Sequence, residues 1–165
     1  MTMAEFVIAA GLLTGLMGTL AIQYVYFARS FARLQNYMYM NGKSRYAVDR
    51  MSRDIRQADS ITAFTTTNLT ILLASNSVTY AFNAAQKTLT RQSAGKTDTY
   101  LTDCTYARFD AFQRTTSSNS FALSSATNAS SAKVVQIDWV CSKTVAGEPN
   151  TAENMQSAIV TIRRK

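Results

Sequence analysis

Histidine is absent from the 165 residues, and proline occurs once, at Pro149. Without histidine the chain lacks the usual general base, the commonest metal ligand and the side chain that most readily changes charge near neutral pH. Cysteine is limited to Cys104 and Cys141, and neither has the neighbours that a metal site or a nucleophile needs. No Gly-rich loop follows a strand pattern, and no paired carboxylates sit in a cleft pattern. No catalytic residue, metal ligand or cofactor site is therefore assigned, and an enzyme is not expected. Acidic residues are also scarce, 10 against 17 Lys and Arg, which leaves a formal net charge of +7.

That charge is unevenly placed. Glu5 is the sole charged side chain from Met1 to Ala28, and apolar or small residues run unbroken from Phe6 to Ala21. About 20 consecutive apolar residues suffice for a helix to cross the hydrocarbon core of a bilayer. The stretch reads as a membrane-spanning helix or one buried in an assembly, and the basic excess lies wholly beyond it. A secretory signal peptide fits poorly, because there is no basic n-region and no Ala-x-Ala-type site closes the run. Glu5 admits two readings. One is an interfacial carboxylate stabilised by the helix dipole by roughly 0.3–1 kcal/mol. The other is a partner for the α-amino group of a neighbouring chain, a pairing that would set the register between subunits.

The opening Met1-Thr2-Met3-Ala4-Glu5-Phe6-Val7-Ile8 resembles the mature N-terminus of type IV pilins and type II secretion pseudopilins. The resemblance implies that Met1 is a processed, methylated residue and that Glu5 is the assembly carboxylate. It implies an α+β fold with a long N-terminal helix, one half apolar and one half amphipathic, packed on an antiparallel β-sheet domain. Residues 1–28 would be the apolar filament-core helix, 29–60 the amphipathic half and 61–165 the sheet domain. Further along, Arg53-Asp54-Ile55-Arg56-Gln57-Ala58, a Val-Thr-Tyr strand and Leu-Thr-Arg look like the minor pilins and J-type pseudopilins. In such an exported chain Cys104 and Cys141 are expected to pair, stabilising the domain by roughly 3–4 kcal/mol.

From Arg29 a 3.6-residue pattern continues through Phe31, Leu34, Tyr37 and Met38, then Val48, Met51, Ile55 and Ala58. It predicts one helix from Met1 to about Ala58, with the stripe packed on the domain's own sheet. Asn41-Gly42 is its weak point. Gly11, Gly15 and Gly18 form a second weak region, suited either to close helix packing or to local melting on assembly. After Ile61 the period becomes that of strands, at Leu69–Leu73, Ser77–Phe82, Thr88–Arg91, Tyr100–Phe112, Lys133–Val140 and Met155–Ile162, a meander of five to seven. Thr115–Ala132 is rich in Ser and Thr and reads as a surface loop with a short strand at Phe121–Leu123. Thr144–Asn154 reads as a second exposed loop. Asn68-Leu-Thr70 and Asn128-Ala-Ser130 match the N-glycosylation pattern.

Lys43, Arg45, Arg50, Arg53 and Arg56 are interleaved with Tyr37, Tyr39 and Tyr46, and Arg163, Arg164 and Lys165 form a second basic cluster. Basic groups beside aromatics suit phosphate contact and base stacking. They equally suit lipid head groups, or salt bridges between subunits, with Asp49 and Asp54 in i,i+4 reach. Salt bridges are the default expectation here, nucleic acid the minority one. The expected function is structural: a homo-oligomeric helical filament, its subunits held in inner-membrane lipid before the assembly machinery places them on the cell surface. The alternative is a minor pilin or pseudopilin that primes or caps a secretion or DNA-uptake pilus, including a DNA receptor.

Overall fold

The computed structural model describes residues 2–114, 122–145 and 148–162, with backbone alone at 145 and 148–154. Met1, Arg163, Arg164 and Lys165 lie outside these residues, as does most of the Ser/Thr-rich stretch before Ala122. The fold is α+β: one long helix followed by antiparallel strands. Helix α1 (Met3–Gln57) runs for 55 residues, about 82 Å at 1.5 Å per residue. No proline interrupts it, and it passes through Gly42 unbroken. Thr2 opens it and Ala58, in an extended conformation, closes it.

Nine strands follow among the described residues: β1 (Ser60–Phe64), β2 (Asn68–Leu73), β3 (Asn76–Asn83), β4 (Thr88–Ser93), β5 (Lys96–Leu101), β6 (Cys104–Arg114), β7 (Leu123–Ser125), β8 (Val134–Val145) and β9 (Glu148–Thr161). They form two sheets rather than the single meander expected. The first has the order β1-β2-β3-β4-β5, and the second β7-β6-β8-β9. Two of the hairpins turn on residue pairs with positive φ, Ala74-Ser75 and Ala94-Gly95. Paired left-handed residues match the right-handed twist of the flanking strands. Gly95, at φ 77, meets this without strain, whereas Ala74 at φ 45 does not.

Each sheet turns alternate side chains inward. Leu69, Ile71, Val78, Tyr80 and Leu89 come from the first sheet, and Phe109, Val135, Ile137, Trp139 and Val160 from the second. They meet Met40, Ala47, Met51 and Ile55 of the helix. The helix thus joins the core from Met40 onward and no earlier. The expected packing of Phe31, Leu34, Tyr37 and Met38 on the sheets is not realised, since all four are exposed. The domain begins beyond them along the axis, so nothing in the chain reaches that part of the stripe.

The region expected as a loop at Thr144–Asn154 instead continues the β8–β9 hairpin, with Lys143 opposite Ala152 and Val145 opposite Glu148. Pro149 fits a strand there because β9 is an edge of its sheet and needs no donor on its outer side. The short strand expected at Phe121–Leu123 lies at Leu123–Ser125. Cys104 and Cys141 face each other across β6 and β8 and are disulfide-bonded.

Candidate assembly surface

The first ten turns of α1 project past the domain. Every described residue from Thr2 to Arg29 is exposed, including Phe6, Leu12, Leu16, Ile22 and Phe27. The helix is long and apolar enough to cross a membrane, and the apolar window that qualifies it has no residue buried within the chain. A soluble protein rarely leaves an apolar patch of this extent to water. The chain alone does not bury this half, so lipid or another protein must.

Glu5 is placed by a capping box. The backbone N–H of Thr2 donates to Glu5 Oε2 at 2.8 Å, and the backbone N–H of Glu5 donates to Thr2 Oγ1 at 3.4 Å. Two of the helix's orphan N–H groups are thereby satisfied. The carboxylate therefore has a local task within its own chain. An ionised carboxylate has about four lone-pair sites, so it can accept from an incoming ammonium group without releasing Thr2.

Gly11, Gly15 and Gly18 all lie within unbroken helix, and a Cβ added at any of them would meet nothing within 4 Å. Their backbone is therefore open on all sides in the isolated chain. Thr14 and Thr19 donate their hydroxyls back to the carbonyls of Gly11 and Leu16 at 2.9 and 2.8 Å, which hides the two polar groups from an apolar surrounding.

The basic residues of the second half do not gather into one patch. Lys43 sits over the Tyr39 ring, 5.7 Å from its centroid, on the side of the helix that faces Thr99–Thr102. Arg50 turns inward to Asp54, its Nε 3.5 Å from Oδ1. Arg53 and Arg56 line a groove against Ala158–Val160 of the edge strand β9. Arg45 is exposed. The C-terminal cluster Arg163, Arg164 and Lys165 lies outside the described residues.

What sequence reasoning missed is the role of Asp54. Its side chain is buried, and three groups converge on it: Tyr80 Oη donates at 2.7 Å, Arg91 Nε at 2.9 Å, and Arg50 approaches the other oxygen. Burial, then the hydrogen bond to Asp54, push the Tyr80 hydroxyl far above its ordinary range, with Arg91 opposing. Burial works against the charge on Arg91, but its hydrogen bonds to Tyr80 and Asp54 outweigh this and raise its pKa. A second polar contact ties the helix to the other sheet, where Trp139 Nε1 donates to Ser44 Oγ at 2.7 Å. Ser44 and Asp54 thus orient the helix about its axis relative to the domain. The available signal was their place in the Met40, Ala47, Met51 row, where a polar residue must find a partner. Comparison with protein-family models, with curated proteins and with solved structures found no match.

Proposed function

We propose that this chain is a structural subunit of a type IV pilus-like extracellular filament, held in the inner membrane by α1 before assembly. The observation that carries the reading is a single helix whose outer half is wholly uncovered and apolar while its inner half anchors a disulfide-bonded domain. Many copies bundle those outer halves into a filament core and leave the domains outside. Lipid tails are as apolar as the helix, so the gain on leaving the bilayer comes from van der Waals fit and polar contacts rather than from escape from water. Gly11, Gly15 and Gly18 offer close approach, and Glu5 offers a carboxylate to the α-amino group of a neighbour, the role the resemblance implies for it.

Electron microscopy of sheared surface material, with mass spectrometry of its proteins, tests the reading. This chain as the main component of a thin filament, beginning at a methylated Met1, is the expected result. Its presence only in traces would favour the second reading, a minor pilin or pseudopilin that primes or caps a secretion or uptake machine. Glu5→Ala is expected to leave a membrane protein of normal abundance with filament yield reduced at least tenfold; normal yield would overturn the assembly role of Glu5. The DNA-receptor variant of the second reading draws on the exposed Arg45, Arg53 and Arg56, and steeply salt-dependent binding of duplex DNA would support it.

A further inference from the structure

Between the apolar run and the domain lies a neck of helix, Arg29 to Tyr39, about 16 Å long. Its exposed Phe, Leu and Met residues are Phe31, Leu34 and Met38. These are spaced three and four apart, and the same alternation runs back without a break through Phe27, Tyr24, Leu20, Met17 and Leu13. All eight are at least half exposed. A 3-4 spacing sustained over about four heptads is the seam of a left-handed coiled coil, whose mean period of 3.5 commits it to a helical partner. Within the apolar run such a seam is unremarkable, because almost any spacing finds an apolar residue there. In the neck it is more selective, for Arg29, Ser30, Ala32, Arg33, Gln35 and Asn36 all fall off it. Of the exposed aromatic and large apolar side chains there only Tyr37 and Tyr39 do so, their hydroxyls giving each a polar end.

We propose that the seam from Leu13 to Met38 pairs with the same seam of a second copy, parallel and in register, while both are in the membrane. It rests on the reading of α1 as a membrane anchor and not on filament growth. Copies inserted in one bilayer share direction and depth, so like positions meet. Charge placement suits such a pair. With Phe31 and Met38 at a and Leu34 at d, Arg29 falls at f and Arg33 at c, both turned away from a partner. The flanking e and g positions of the neck, Gln35, Ser30 and Tyr37, are uncharged. Leu occupies d at Leu13, Leu20 and Leu34, as in parallel dimers, while Phe27 takes the remaining d position and the a positions, Met17, Tyr24, Phe31 and Met38, lack the β-branching that accompanies Leu there.

The seam also ends where self-pairing would fail. Its next two positions are Asn41 and Arg45, and in a parallel pair Arg45 would face Arg45. One position nearby, Ser44, is already covered by the chain's own domain through Trp139. The face buried on the domain (Met40, Ala47, Met51, Asp54) lies about 160° round the helix from the neck's seam residues, so a partner reaches the neck without displacing the domain. Eight seam side chains at roughly 100 Å² each cover about 800 Å² per copy; for the five within the apolar run the gain is van der Waals fit, and for Phe31, Leu34 and Met38 it is also removal from water.

Oxidative cross-linking of single-cysteine variants of the full chain, in native membranes, tests this. The two native cysteines are already bonded to each other. Leu34→Cys and Met38→Cys are expected to give at least tenfold more dimer than Arg33→Cys and Asn36→Cys on the outer face. Equal yields at all four sites, or more dimer from the outer pair, would overturn the proposal. Repeating the assay in the Glu5→Ala background separates it from the filament reading. Seam dimers that persist there show pairing before assembly. Loss of seam dimers there would mean that the contact belongs to the filament alone and would overturn the pre-assembly pair. Filaments without seam cross-links leave the filament reading standing and remove the pair, whereas seam cross-links in a chain that never forms filaments do the reverse.

Discussion

Asp54→Ala is the substitution from which the structure expects the largest loss in the domain. The carboxylate is 1% exposed and takes two short hydrogen bonds, from Tyr80 at 2.7 Å and from Arg91 at 2.9 Å. Removing it strands the Arg91 guanidinium, whose side chain is 11% exposed, and leaves a buried hydroxyl without its acceptor. Breaking a buried ion pair from one side costs about 3–5 kcal/mol, mostly the desolvation of the charge left behind. Against a typical total of about 5–15 kcal/mol that is a large share, and it lowers the melting temperature by about 10–20 °C for a domain of this size. Asp54→Asn keeps an acceptor for Tyr80 but not the charge for Arg91, so its cost is smaller, about 1.5–3 kcal/mol. Arg50→Ala is nearly neutral, under about 1 kcal/mol, because that side chain is 38% exposed and its contact is 3.5 Å. Thermal unfolding of the full chain in detergent, followed by near-ultraviolet circular dichroism of Trp139, measures all three. The decisive control replaces the whole network, Asp54→Leu with Arg91→Met and Tyr80→Phe, and recovers most of the loss since no buried charge remains. The reasoning fails if Asp54→Ala unfolds within about 1 kcal/mol of the parent. It fails equally if the costs of Asp54→Ala and Arg91→Ala simply add, because groups in one network are expected to couple.

Tyr80 sets an alkaline limit. Its ordinary pKa of 10.0 is raised by burial in the folded chain, so above pH 10 the unfolded state releases a proton that the folded state keeps. Stability from this group is whole below that pH and falls as pH rises through it, by at most about 1.4 kcal/mol per pH unit; Tyr80→Phe should flatten this slope in urea melts between pH 9 and 11. Reduction of Cys104–Cys141, which encloses 37 residues of sequence separation, is expected to destabilise the domain by about 3–4 kcal/mol, read as an earlier urea midpoint in the presence of a reductant. Gly15→Ala meets open space in the isolated chain and should raise helix stability by about 1 kcal/mol. If Gly15 serves close packing between copies, the same change lowers filament yield, and unchanged yield would remove that role.

Several features were legible in the residues alone because they depend on short-range chemistry. The uninterrupted α1 follows from a proline-free apolar run that passes into an amphipathic pattern. Strands β2 and β3 have alternating apolar residues of their own, and the two cysteines had no competing partner. The single sheet expected from the strand pattern was wrong because the run read as one strand, Tyr100–Phe112, breaks at Thr102-Asp103, with Asp103 at φ 60, and its two parts join different sheets. Strand β5 reads Lys-Thr-Asp-Thr-Tyr-Leu, with no alternation until Tyr100 and Leu101, and it forms because the Ala94-Gly95 turn returns it to β4. Strand β1 begins three residues past the helix and gains its order from β2.

Periodicity records which residues share a face, but not how far along the axis a partner extends. Phe31 and Met38 therefore looked like Val48 and Met51, and only the position of the domain separated an uncovered neck from a buried face. The same limit hid Asp54. Its sequence neighbours suggested an i,i+4 surface pair, and one does form with Arg50, yet Tyr80 and Arg91 arrive from strands 26 and 37 residues away to make it a buried anchor. The long helix, its apolar outer half and most of the strands could be read from the residues in order, since each depends on residues within a few positions of one another. The division into two sheets, the point at which the helix enters the core and the partners of Asp54 and Ser44 were decided by tertiary structure, because they depend on residues that meet only when the chain is folded.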